Sequence, residues 1–194
     1  MGNLPSRLFQ KPELLGPGVQ MFSVFQTTSK NREQWAEITT DFLESTREHH
    51  ISEHNLSYRC STKAGDPNTT STLEVYADAA GVAAHGVHVQ KLMQKIKEDN
   101  IQIPYGSVAA PACEMEPLKV LGIPVYRWLD GAFIRPRALD QSQSFIHILS
   151  EWTVKDQSAT EEAILTLAGG NRDGDDPDFE EGQLFFGGAV HEDS

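Results

Sequence analysis

The chain is short of cysteine, of positive charge and of long apolar runs, and each shortage narrows what it can be. Its two cysteines, Cys60 and Cys113, stand far apart with no CxxC pair. That argues against a disulfide scaffold or a thiolate zinc site and favours reduced thiols within a cell. Sixteen Lys and Arg face 28 Asp and Glu, a formal net charge of −12. A nucleic-acid groove needs the opposite balance, as does a polybasic membrane face, so neither partner is expected. No stretch approaches the roughly 18 apolar residues of a bilayer span. The N-terminal run MGNLPSRLFQKPELLGPG has no continuous apolar core of a secretory signal, so a cytoplasmic protein is expected. Its Met1-Gly2-x-x-x-Ser6 start fits a minimal myristoylation pattern, but Pro5 and the brevity of the pattern favour an ordinary tail over residues 1–18.

What is there reads as alternating strands and helices. Val19 to Thr27 predicts a strand, and Ser29 stands where it could cap a helix from Asn31 to His49. Trp35, Ile38, Phe42, Leu43 and Thr46 trace the apolar stripe of that helix. Asn55 to Ser61 predicts a second strand with Leu56, Tyr58 and Cys60 on one face, and Ser71 to Tyr76 a third that forms a hairpin with it. Asp78 then caps one long helix reaching Lys97, with His85 and His88 on its surface. Gln102–Ala110 reads only as an extended segment, while Pro124–Leu129 predicts the fourth strand. The order β-α-β-β-α-β is the split arrangement of ferredoxin-like α+β domains, placed here at residues 19–136. One face of such a sheet stays open and must meet another sheet or a ligand.

Residues 144–194 repeat part of the pattern. A strand at Ser144–Trp152, a helix at Thr160–Ala168 and a strand at Gln183–Val190 follow the order of the first elements. Lys155 falls opposite Lys30 and Gln183 opposite Asn55 at a nearly constant offset. A partial, divergent second ferredoxin-like copy is therefore expected, lacking its later strands and helix.

One stretch resembles a known family. Glu74-Val75-Tyr76-Ala77-Asp78, continuing to His85, is similar to the strand-to-helix signature of antibiotic-biosynthesis-monooxygenase domains. Asn55 to Cys60 resembles that family's second strand, with His54 where the family has glycine. Ser29 to Trp35 resembles its run into the first helix. The resemblance implies a dimeric α/β barrel, formed as a homodimer or as an internal pseudo-dimer with the partial second copy. It implies a monooxygenase that needs no cofactor and acts on a small hydrophobic aromatic molecule of the quinol type. The alternative it leaves open is a non-catalytic barrel that binds a ligand or serves in assembly.

Such oxygenation asks the protein for a base and an apolar site for an electron-rich ring. His85 is the candidate catalytic base, and Tyr58, Tyr76 and Trp128 are candidate substrate-binding aromatics. A core histidine and core aromatics would look the same in sequence. His49, His50, Glu53 and His54 invite a metal reading, but their spacing fits no helical zinc motif, and no metal site is expected there. The acidic run Asp173–Glu181 departs from a calcium loop at positions six and twelve and reads as a solvated loop. No phosphate-binding loop, dinucleotide fingerprint or nucleophile elbow is present.

Overall fold

The computed structural model describes residues 18–129, 153–170 and 189–191. The chain divides into two units, Met1–Val125 and Tyr126–Ser194. In the first, β1 (Val19–Gln26) leads to α1 (Arg32–His49), β2 (Asn55–Lys63), β3 (Asp66–Tyr76), α2 (Ala79–His88), α3 (Gln90–Glu98) and β4 (Gln102–Ala110). The four strands are antiparallel in the order β2-β3-β1-β4. This is the ferredoxin-like arrangement, and it makes the unit an α+β domain.

α1 forms where its stripe requires it. Trp35, Ile38, Phe42 and Thr46 are its buried residues, spaced three or four apart. Ser29 does not cap it; Asn31 holds the N-cap position. The Asn31 side chain is turned outward from the helix. Its Oδ1 accepts the Thr28 N–H at 2.7 Å, and its Nδ2 donates to the Asp99 carbonyl at 2.8 Å. The β2–β3 hairpin turns at Gly65, whose φ of 76° lies in the region that glycine enters without strain. β3 starts five residues before the expected Ser71, since the Asp66 carboxylate accepts from the Asn68 N–H and the Thr69 hydroxyl and pins the strand's first turn.

Two further expectations change. The long helix is broken at Val89 into α2 and α3. Gly86 and the β-branched Val87 and Val89 give that segment little helix propensity. The fourth strand of the ferredoxin-like unit, beside β1, is Gln102–Ala110, not Pro124–Leu129. Pro104 and Gly106 obscure it in the sequence. Pro104 falls where the β1–β4 register shifts between Val24 and Gln26, a place that tolerates a residue without an N–H.

After β4 come short helical turns between Ala112 and Leu121, the longest being α4 (Met115–Leu118). β5 (Val125–Trp128) then runs into the second unit. There it pairs antiparallel with β6 (Ala189–His191), Trp128 opposite Ala189. α5 spans Gln157–Gly170 and contains the expected Thr160–Ala168 helix; the Asp156 carboxylate accepts the Ala159 N–H at its start. The expected strand at Ser144–Trp152, the acidic run, most of Gln183–Val190 and residues 1–17 lie outside the described residues. Among the described residues no helix is long and apolar enough to cross a membrane.

The interior of the first unit is split. One apolar cluster joins Val19, Val82, Val108, Met115 and Leu118. The other joins Phe25, Trp35, Ile38, Phe42, Leu92 and Ile96. β3 is the reason for the division. Its buried side chains are Thr70, Thr72, Glu74 and Tyr76, so the strand brings polar groups to the layer where aliphatic ones would fuse the clusters.

Candidate functional site

The site is built on β3 and α2 and completed by the turn after α1. Register places Glu74 opposite Tyr58 on β2 and opposite Met21 on β1, so the carboxylate sits mid-sheet. Thr72 donates to its Oε1 at 3.2 Å and Tyr76 to its Oε2 at 2.7 Å. His85 projects from α2 above it, with Nε2 3.7 Å from Glu74 Oε2, and its other nitrogen, Nδ1, lies 3.0 Å from Glu53 Oε2. Glu53 is wholly enclosed, and His85 is 4% exposed.

Glu53 reaches the interior because the chain folds tightly there. Its N–H donates to the His49 carbonyl, and the Asn55 N–H donates to that of His50. His54 next to it has a φ of 49°. That left-handed conformation explains why glycine suits this position. His54 holds it with Nδ1 2.9 Å from Asp78 Oδ2. On the far side, Glu53 Oε1 meets His88 Nδ1 at 2.8 Å. A continuous series of side chains thus passes from partly exposed His88 through Glu53, His85 and Glu74 to Tyr76, which has no exposed surface.

Electrostatics follow from this enclosure. Burial raises the Glu74 carboxyl above its ordinary range; His85 and the donors Tyr76 and Thr72 oppose that rise, and Glu53 adds to it. Burial likewise lifts the Tyr58 and Tyr76 phenols well above 10, with Glu74 reinforcing both. Cys60, one step along β2, is pushed up to about 11 by burial and by Glu74. The imidazole of His85 is thus set between two carboxylates, with the neighbouring phenols and thiol kept protonated.

With that geometry in place, comparison with known proteins adds a likeness of fold. No family model matches the sequence, and no curated protein does. Among solved structures, MupZ from Pseudomonas fluorescens is 19% identical, with 68% of this chain and 98% of that one covered and a TM-score of 0.49. A protein described as an antibiotic biosynthesis monooxygenase is 18% identical, with 46% and 92% covered and a TM-score of 0.39. The chain is similar to these domains. No residue's role follows from the likeness, which is one of fold.

Of the residues singled out in the sequence, His85, Tyr58 and Tyr76 come together. The Tyr58 and Tyr76 ring centroids lie 5.7 and 5.6 Å from that of His85, and Phe42 stacks at 6.5 Å. Tyr76 spends its hydroxyl on Glu74 and holds that carboxylate in place. Trp128 belongs to β5 in the second unit. Spacing set Glu53 only among the histidines around it and did not reveal Glu74 as a site member. For Glu74 the alternation misleads, since the apolar Leu73 and Val75 lie on the opposite, less buried face.

Proposed function

We propose that the first unit is an oxygenase-like proton-transfer centre acting on a small phenolic or quinol-type molecule without a cofactor. The observation that carries this reading is the burial of His85 between Glu53 and Glu74. An imidazole held by a carboxylate at Nδ1 presents Nε2 as the proton acceptor. It would take the phenolic proton, and the resulting phenolate would supply the electrons to O2. The ring carbon would bond O2 as a hydroperoxide; as that carbon loses its hydrogen the O–O bond breaks, one oxygen staying as a quinone carbonyl and the other leaving as water, with all the electrons supplied by the substrate. Tyr58, partly buried beside His85, would flank the ring, while Tyr76 and Thr72 keep Glu74 in position. The open face of the sheet would meet a second copy, giving a homodimer, or the partial second repeat, giving an internal pseudo-dimer.

Oxygen consumption with a panel of quinols and anthrones tests this, comparing the wild-type chain with His85→Gln. Gln keeps a donor for Glu53 but cannot accept a proton as imidazole does. Turnover lost in a variant that still folds supports the assignment; no turnover by the wild type, or an unaffected variant, sinks it. If the wild type shows no turnover, the non-catalytic ligand-binding or assembly barrel is the reading that stands.

A further inference from the structure

We propose that His49, Glu53 and His88 form a binding site for a divalent transition-metal ion, with zinc as its simplest occupant. The three come from different elements: the last turn of α1, the turn that follows, and the end of α2. One donor atom from each lies within 4.8 Å of the others. A tetrahedral ion about 2.1 Å from each ligand would set donors roughly 3.4 Å apart, so the widest separation must close by up to about 1.4 Å.

Three features prepare it. His49 Nδ1 lies 2.9 Å from the Ser45 carbonyl. A carbonyl oxygen only accepts, so Nδ1 carries the hydrogen and Nε2 of the neutral ring keeps its lone pair. This is the second hydrogen bond that orients a ligand histidine. Next, Glu53 Oε2 is already engaged by His85, which leaves Oε1 as the oxygen facing His88. Finally, the His49 and His88 rings stack with centroids 4.0 Å apart, keeping both at one mouth of the protein. Loading turns the partly exposed His88 ring out of that stack, and the ion replaces the hydrogen between His88 Nδ1 and Glu53 Oε1.

Two imidazoles and one carboxylate select a borderline ion over magnesium or calcium, and three ligands leave a position open for water or another molecule. The neighbouring histidines lie outside the cluster: His50 is exposed and does not join its donor atoms, and His54 meets Asp78. With the ion in place, Glu53 would bridge it to His85. The site stands independently of the oxygenase reading, because His85 is not one of its ligands and no turnover is needed.

The test is titration of the chelator-stripped full chain with Zn2+ alone, followed by calorimetry, with Mg2+ as the comparison. Wild type and His50→Ala should each bind one Zn2+ through this cluster. His49→Ala and His88→Gln should bind it at least tenfold more weakly, the Gln retaining a donor for Glu53. Should either variant melt early, carbethoxylation of the wild type decides instead: Zn2+ protecting His49 and His88 supports the site. The proposal is overturned by no Zn2+ binding in the wild type, by undiminished binding in the folded variants, by Mg2+ binding as tightly, or by labelling that Zn2+ leaves unchanged.

Discussion

Gly81 lies so close beneath Glu53 that a Cβ on Gly81 would overlap the Glu53 carbonyl oxygen. The first turn of α2 and the turn after α1 therefore approach until backbone meets backbone. This contact sets how far Glu53 enters the interior. Gly81→Ala should push the turn away, pull the carboxylate from His85 and His88, and cost on the order of 1–3 kcal/mol. Gly86, on the same helix, has nothing within 4 Å of its own added Cβ. Gly86→Ala should instead stabilise by up to about 1 kcal/mol through helix propensity. Urea denaturation of the pair checks the claim, and shifts of the same sign would refute it.

Thr46 presents the reverse situation, a group present but unused. Its hydroxyl is buried on α1 and has no hydrogen-bond partner among the described residues. Valine has the same branched shape without the unpaired oxygen. Thr46→Val should raise stability by roughly 1 kcal/mol, since a buried hydroxyl without a partner is costly. Thermal melting would show a higher midpoint; a lower one would mean that the hydroxyl has a partner after all.

Asp78 links stability to acid. Burial disfavours its ionised form, but the Gly81 N–H and His54 outweigh this and bring its pKa below the ordinary 3.8. A carboxylate depressed in the folded state stabilises above its unfolded pKa, and that contribution is lost as pH falls through the folded value. The window lies below pH 3.8. Asp78→Ala should cost about 1 kcal/mol near neutrality, the usual worth of an N-cap. It should also flatten the acid limb of a stability–pH curve recorded by urea denaturation; an unchanged limb would remove Asp78 from the account.

How much of this was legible in the sequence depended on the range of the determining interaction. The α1 stripe was readable because it depends on residues three and four apart, and the Asp78 cap because it acts within one turn. The β4 strand was not. Its Pro104 is tolerated at a register shift that exists only because β1 lies alongside. VYRW looked more strand-like by composition, and it is a strand, but not the one beside β1. His85 could be picked out with the aromatic pair beside it, since all three carry recognisable chemistry. Its carboxylate partners could not. Glu53 stood out only beside His49, His50 and His54 in a loop read as solvated, and nothing local indicates that the Gly81 backbone, a whole hairpin later, leaves it room to turn inward. The grouping of His49 with His88 was hidden for the same reason, while the adjacent His50 and His54 drew notice by mere proximity.

The division of the interior into two apolar clusters has an electrical consequence. Hydrocarbon lies on either side of the line from His88 to Tyr76 and screens charge poorly. A charge at the His88 rim is thus screened less on the way inward than it would be in water, though it still weakens with distance. The oxygen atoms of Glu74, enclosed beneath His85, remain within electrostatic reach of the surface.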